Sequence, residues 1–109
     1  MKKMHLNDEI FSSVRDGKKS VEVRINDEKR KALKVGEIVE FHNRITDEVL
    51  LVKIINLKRD KTFSDLIDLF ELEDFNIENK ADLIERLYSI YTKEEEIEFG
   101  VVGIKIELI

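Results

Sequence analysis

The spacing of hydrophobic residues changes twice along the chain, and these changes limit the folds that it can adopt. Apolar residues alternate or run continuously through most of residues 20–57, recur three and four positions apart through residues 63–91, and alternate again through residues 101–108. A period of two is typical of strands and a period near 3.6 is typical of helices. Because the strands come before and after the helical segment, the pattern predicts a mostly antiparallel sheet.

The C-terminal segment adds a second constraint. Val102, Ile104, Ile106 and Leu108 alternate with small or charged residues, which is typical of a strand with one buried face. Such a strand needs hydrogen-bonding partners at its edges. We therefore predict an α+β fold, in which a small, mostly antiparallel sheet curves into a barrel closed by the chain termini and the helices pack across its mouth.

An apolar run, an acidic run and four helix-capping residues predict single elements of the fold. Residues 49–57 are apolar at both odd and even positions, which indicates a central strand covered on both faces or one that bends around a barrel. The run Glu94-Glu95-Glu96 opens a short helical turn, and we expect it to be a solvated face. Residues typical of helix N-caps precede the predicted helices, at Asn7, Thr62, Asn79 and Thr92.

The composition limits the class of protein. A chain of 109 residues is large enough for one domain with one core. It has no cysteine, which excludes disulfides, thiolate metal sites and cysteine nucleophiles and fits a reducing compartment. No apolar run approaches the length that spans a bilayer, and the N-terminal residues lack the apolar core of a signal peptide. We expect a single domain, residues 1–109, in the cytoplasm and without a membrane partner.

The charge is distributed unevenly along the chain. The formal net charge is −5, yet residues 1–61 hold 15 of the 19 Lys and Arg residues against 11 of the 24 Asp and Glu residues, and residues 62–109 hold four against 13. If the two halves separate in space, one face is basic and another is acidic; otherwise both are ordinary solvated surface. The excess of acids argues against a protein that binds long nucleic acid over its whole surface.

Residues 17–27 form the best candidate for a functional site, because a glycine turn presents two lysines there and then opens into an alternating strand. The apolar face of this strand carries Val21, Val23 and Ile25. Its polar face carries Ser20, Glu22 and Arg24.

The polar face has a functional and a plain interpretation. Arg24 offers a planar fork for a phosphate, a carboxylate or a base edge, and Glu22 either orients that fork or accepts a hydrogen bond from a base amine. In the plain interpretation the two side chains form a surface ion pair. Lys19 joins them only if the chain turns sharply at Lys18 and Lys19.

Four segments carry a resemblance to a known family. They are GKKSVEVR at 17–24, LKVGEIVEF at 33–41, SIY at 89–91 and GVVGIKI at 100–106. Together they resemble the ASCH domain family over nearly the whole chain, and the first string is the most specific. That family is similar in fold to the PUA superfamily, a small β-barrel with helices, which agrees with the order of elements predicted above.

The resemblance implies a role with RNA, because PUA-like barrels bind RNA and the ASCH domain is proposed to do so in a cleft beside its lysine and arginine. One branch of the family is similar to an amidohydrolase that removes the acetyl group of acetylcytidine. Carried over, Lys19 falls on the catalytic lysine of that branch and Arg24 on its arginine, whereas Glu22 stands where that branch has a threonine nucleophile. Ser20 supplies a hydroxyl nearby, and Glu78 is the nearest candidate for the catalytic glutamate.

Two hypotheses of different class follow. In the first, the protein binds single-stranded or modified RNA, or a nucleotide, in a cleft walled by Lys19, Glu22 and Arg24, and residues 29–31 contact phosphates together with Lys18. The full set of candidate nucleic-acid-binding residues is Lys18, Lys19, Ser20, Glu22, Arg24 and Tyr91. In the second, the protein is a small hydrolase of a modified nucleoside such as acetylcytidine, with Lys19 as the base and Glu22 as the acid/base or water-orienting group.

Other candidate sites receive little support from the sequence. His5 and His42, the only histidines, are 37 positions apart and have no partner at metal-ligand spacing. Tyr88 falls on the apolar stripe of a helix, where a tyrosine packs in the core with its hydroxyl at the rim. We predict RNA, a nucleotide or a nucleoside as the ligand, and expect no DNA, no metal ion and no cofactor.

Overall fold

The computed structural model describes all residues of the chain, 1–109. Its strands are β1 (Lys2–Leu6), β2 (Val21–Ile25), β3 (Ile38–Asn43), β4 (Val49–Asp60) and β5 (Val101–Leu108). Its α-helices are α1 (Asp8–Arg15), α2 (Glu28–Lys31), α3 (Phe63–Ile67), α4 (Lys80–Ile90) and α5 (Lys93–Phe99), and a 3-10 turn occupies Leu72–Phe75. The order of these elements confirms the predicted α+β class.

The five strands form one sheet in the order β1-β3-β4-β5-β2. Every neighbouring pair is antiparallel except β1 with β3, which confirms the prediction of a mostly antiparallel sheet. The sheet curls into a half-barrel whose edge strands, β1 and β2, are not paired with each other. The chain termini therefore do not close the barrel as predicted, because the C-terminal strand is inserted between β4 and β2.

Strand β4 is central in the sheet, but it is not covered on both faces along its first half. Val52 and Ile54 are fully buried, whereas Leu51 and Ile55 on the opposite face are 44% and 38% exposed. The register with β5 shifts between Ile54 and Asn56. A bulge of this kind bends a strand and increases its twist. The prediction that this strand bends around a barrel is therefore correct, and the alternative that both of its faces are covered is not.

Hydrophobic side chains form two buried clusters, one on each side of the curled sheet. The inner cluster lies within the half-barrel against α1 and includes Leu6, Phe11, Phe41, Val52, Val102 and Ile104. The outer cluster lies between β2 and the helices and includes Val21, Val23, Ile25, Phe63, Leu66 and Leu87. Strand β5 contributes to both clusters, since neighbouring residues of a strand point to opposite faces.

The predicted N-caps are confirmed. The side chains of Asn7, Thr62, Asn79 and Thr92 each accept a hydrogen bond from a backbone amide in the first turn of the helix that follows. Each bond satisfies an amide that has no partner within its own helix. No helix combines the length and the apolar character that crossing a membrane requires.

The expectation of a solvated acidic run is wrong for Glu96, which is only 6% exposed. Its carboxylate accepts hydrogen bonds from the Tyr88 hydroxyl at 2.8 and 2.9 Å and from the Phe63 amide at 2.8 Å. That amide opens α3 and has no partner within the helix. Glu96 therefore ties α5 to the start of α3 and to the side chain of Tyr88 in α4.

Candidate functional site

Strand β2 turns its charged residues toward the inside of the half-barrel. Val21, Val23 and Ile25 belong to the outer cluster, so the alternate residues point the other way. Glu22 and Arg24 are the register partners of Ile104 and Val102 on β5, which belong to the inner cluster. The two charged side chains therefore occupy the inner face of the sheet at the edge where the barrel stays open.

The turn before β2 brings Lys19 to the same place. Gly17 has a φ of +77°, a conformation that favours glycine. The amides of Lys18 and Lys19 then both donate to the carbonyl of Ser13, at 2.9 and 3.1 Å. The chain thus turns sharply at these residues, and Lys19, which is only 9% exposed, lines the same cavity as Glu22 and Arg24.

A cavity of about 240 Å³ lies between β1, β2 and α4, and we call it the edge cleft. Its charged lining residues are Lys19, Glu22, Arg24, Arg44 and Arg86, and Tyr91 lines it as well. Four cations therefore surround one carboxylate in a protein whose net charge is −5. The cleft is a basic site on an acidic molecule.

Arg24 bridges the open edges of the barrel. Its Nη2 donates to the carbonyl oxygen of His5 on β1 at 3.0 Å, and its Nε lies 3.9 Å from Oε1 of Glu22. The first contact satisfies one of the free carbonyls of the edge strand β1. The guanidinium is thereby held across the gap between β1 and β2, in contact with His5 on one side and near Glu22 on the other.

Glu22 has an oxygen without a partner. The residue is 6% exposed, and its Oε1 accepts a hydrogen bond from the Val23 amide at 3.1 Å. Its Oε2 is buried and has no hydrogen-bond partner, the only buried side-chain atom of the chain in this state. Leaving such an acceptor unsatisfied costs about 1–3 kcal/mol. Glu22 lines the edge cleft, so this free acceptor would meet a hydrogen-bond donor on a ligand once the carboxylate rotates toward the cleft.

Tyr91 lines the edge cleft from the end of α4. Its ring packs on that of Phe63, with centroids 5.9 Å apart and planes 29° from parallel. Burial raises the pKa of its hydroxyl, Arg24 lowers it and Glu22 raises it further. The charges of Arg24 and Glu22 therefore both act on the Tyr91 hydroxyl.

Several predicted site residues lie outside the edge cleft. Lys18 is exposed and does not line it. Ser20 directs its hydroxyl to Oδ1 of Asp74 at 3.4 Å, and Glu78 is an exposed residue between the 3-10 turn and α4. The structure thus brings together Lys19, Glu22, Arg24 and Tyr91 of the predicted set.

Two arginines of the cleft were not singled out in the sequence. Arg86 lies three residues after Leu83 and four before Ile90, which also line the cleft, so helical spacing could have identified it. Arg44 follows β3, and its amide donates to the carbonyl of Leu6 at 2.9 Å. Its position depends on the parallel pairing of β1 with β3, for which the sequence offers no signal.

The same parallel pairing brings the two histidines together despite their separation in sequence. His5 and His42 are register partners, and their ring centroids are 5.4 Å apart. Nε2 of His42 lies 3.3 Å from Oε1 of Glu40. No three or more His, Asp or Glu side chains are arranged so that they could hold a metal ion.

Comparison with known proteins places the chain in a family. A family model described as the ASCH domain matches residues 4–109. The chain belongs to the ASCH domain family. The match confirms the resemblance that the four sequence segments indicated. Among curated proteins, none matches this ASCH domain.

Solved structures share the fold. The ASCH domain is similar to the crystal structure of hypothetical protein PH0355, with 29% identity, a TM-score of 0.88 and complete coverage of both chains. It is similar to the solution structure of PF0455 from Pyrococcus furiosus, with 26% identity and a TM-score of 0.77 over 99% of this chain and 96% of that one. A mutant of ZmASCH from Zymomonas mobilis has 10% identity and a TM-score of 0.69, over 96% of this chain and 66% of that one. The last similarity concerns the fold alone.

Proposed function

We propose that this ASCH domain binds RNA by taking one unpaired base, or a modified nucleoside, into the edge cleft. ASCH domains are generally thought to bind RNA. The observation that carries the proposal is the free Oε2 of Glu22, which is buried in the wall of the cleft and has no partner in the protein. Buried polar groups are almost always hydrogen-bonded. A base that donates a hydrogen bond to this oxygen supplies the missing partner.

The arrangement of donors and acceptors favours a base with an exocyclic amine. Glu22 offers an acceptor, and Arg24 and Lys19 line the same cleft as donors. Cytosine and adenine each carry an amine next to a ring nitrogen that accepts a hydrogen bond, and so match this pair. Uracil carries a carbonyl where cytosine has the amine, so its oxygen would face the Glu22 carboxylate. Discrimination of this kind is typically about 1–3 kcal/mol for each well-formed pair.

Size and stacking agree with a single base. The volume of about 240 Å³ lies below the roughly 300–1,000 Å³ of pockets for drug-sized ligands. One face of the Tyr91 ring is covered by Phe63, and we propose that the other stacks on the base. Such stacking contributes about 1–3 kcal/mol per base. The exposed residues Arg44 and Arg86 supply positive charge for the adjoining phosphates.

The test is a binding titration with tetraribonucleotides of cytidine, adenosine and uridine. We expect the parent to bind the cytidine or adenosine probe at least about fivefold more tightly than the uridine probe. Glu22→Gln should remove that preference, because an amide both donates and accepts. Glu94→Gln, at an exposed glutamate outside the cleft, is the control and should keep it. Equal binding of all three probes by the parent, or an unchanged preference in Glu22→Gln, would contradict the proposal.

The same free oxygen favours a second candidate, hydrolysis of an acylated exocyclic amine such as that of acetylcytidine. Lys19 and Glu22 line one cleft, and Oε2 has no partner in the protein, so the carboxylate would orient a water molecule once it rotates toward the cleft. Lys19 would take a proton from the water, whose oxygen would bond to the acetyl carbon; the bond between that carbon and the exocyclic nitrogen would then break, and the nitrogen would take up the proton, giving cytidine and acetate. Incubation with acetylcytidine should then yield cytidine in the parent and not in Lys19→Ala or Glu22→Gln. Absence of cytidine with the parent, or turnover retained in both variants, would exclude this candidate.

A further inference from the structure

A second cavity, of about 300 Å³, lies along the same open edge of the barrel as the edge cleft. Strand β1 contributes His5 and Leu6 to the edge cleft and residues 2–4 to the second cavity. Strand β2 contributes residues 22–24 to the edge cleft, and α2, which follows it, contributes Lys29 and Arg30 to the second cavity. The two cavities therefore lie next to each other along β1.

The second cavity is basic. Its charged lining residues are Lys2, Lys3, Lys29 and Arg30, and no carboxylate lines it. Two of these cations are already held, since Lys2 pairs with Glu37 at 3.0 Å and Arg30 with Asp27 at 3.6 Å. Lys3 and Lys29 form no ion pair and are exposed. Two free ammonium groups from distant parts of the chain therefore converge on this cavity.

The two cavities are close enough to serve one ligand. Consecutive residues of β1 line the two cavities, since Met4 lines the second cavity and His5 lines the edge cleft. Strand β1, with five residues, spans about 13 Å at the usual strand rise. Stacked nucleotides are spaced roughly 3.4 Å apart along one strand. The edge of β1 thus matches the length of about three or four nucleotides.

From this arrangement we propose that the second cavity is a phosphate-binding subsite for the RNA strand whose base occupies the edge cleft. Lys3 and Lys29 bind phosphates of the neighbouring nucleotides, beyond the phosphate of the nucleotide whose base occupies the edge cleft. The ligand is accordingly a single-stranded segment of at least about three nucleotides rather than a free nucleoside. This inference rests on the proposed function, and it adds the class and length of the ligand.

The test compares cytidine monophosphate with a cytidine tetranucleotide as probes. The variant is Lys3→Ala/Lys29→Ala. The control is Lys53→Ala/Lys61→Ala, which removes two exposed lysines that have no ion pair and line neither cavity. Each protein is titrated with both probes at several salt concentrations, after melting curves have shown that it is folded.

We expect the variant to bind the tetranucleotide at least about fivefold more weakly than the control does, and the monophosphate equally well. The binding constant for the tetranucleotide should also depend less on salt. A plot of its logarithm against the logarithm of the salt concentration should be shallower, by about 0.7 in slope for each phosphate that the variant no longer neutralises. Equal tetranucleotide binding and equal slopes in variant and control would overturn the inference and leave the proposed function standing. An equal loss for both probes would overturn it too, because the lysines would then not act on the phosphates of neighbouring nucleotides, which the monophosphate lacks. A parent that binds neither probe would contradict the proposed function itself, and the inference with it.

Discussion

At the residue scale, the side chain of Glu22 combines near-complete burial with an oxygen that no protein group satisfies. Such a group lowers the stability of the fold, and proteins retain it where function requires it. We predict that Glu22→Gln leaves the free energy of unfolding unchanged or raises it by up to about 2 kcal/mol, because a neutral amide is easier to bury. Urea unfolding measures this difference. A loss of more than about 1 kcal/mol would indicate that the carboxylate is needed for folding.

The pKa of the Tyr91 hydroxyl depends on the charges of the edge cleft. Burial raises the pKa of its hydroxyl, and the positive charge of Arg24 and the negative charge of Glu22 act on it in opposite directions. Because the phenolate is an anion, Arg24→Ala should raise this pKa and Glu22→Gln should lower it. Carbon-13 NMR of the tyrosine rings against pH follows the titration. Tyr88, whose raised pKa reflects burial and Glu96, should not respond and is the internal control. Shifts of the same sign in both variants would show that the two charges do not act directly.

Sequence reasoning identified the residues of the site that lie close together in the chain. Strand alternation predicted that Glu22 and Arg24 share a face, and the glycine turn suggested how Lys19 could join them. It could not identify Arg44, because that residue reaches the cleft only through the parallel pairing of β1 with β3. Sequence reasoning also placed Glu96 wrongly in solvent. A run of glutamates does not indicate whether one of them faces solvent or accepts a hydrogen bond from a neighbouring helix.

At the scale of elements, Glu96 connects three helices. Its carboxylate accepts the Phe63 amide of α3 and the Tyr88 hydroxyl of α4 from its own position in α5. We predict that Glu96→Ala lowers the free energy of unfolding by about 1–3 kcal/mol, because two donors lose their partner. The matched change Glu94→Ala, in the same run but exposed, should have almost no effect. Thermal or urea unfolding compares the two, and equal stabilities would show that the buried carboxylate is dispensable.

Most elements could be predicted from local chemistry. The N-caps at Asn7, Thr62, Asn79 and Thr92 act within one turn of chain, so their sequence patterns were sufficient. The C-terminal strand was predicted from its alternation, but the reason for Gly103 was not visible there. A Cβ at this position would lie 2.5 Å from the Phe70 ring, so the glycine provides space for that side chain. Such a contact between segments far apart in the chain has no local signal.

At the scale of the whole molecule, the family and fold class followed from the sequence and the arrangement of the open edge did not. The order β1-β3-β4-β5-β2 leaves β1 and β2 unpaired with each other; the edge cleft lies in that gap, and the second cavity adjoins it along β1. Strand patterns indicate which face of a strand is buried, but they do not identify its neighbours. The basic lining of both cavities in an acidic protein agrees with a ligand that covers one edge and not the whole surface.

The central claim is that RNA binds in the edge cleft. The most direct measurement is a titration of the nitrogen-15 labelled protein with a cytidine tetranucleotide, followed by backbone amide NMR. We predict shifts concentrated at Lys19, Glu22, Arg24 and Tyr91, extending along the edge of β1 toward Lys3. Arg24→Ala should weaken the response at least about fivefold, since the guanidinium is held across the opening of the barrel. Absence of shifts, or shifts concentrated on the exposed outer face of β4, would contradict the account.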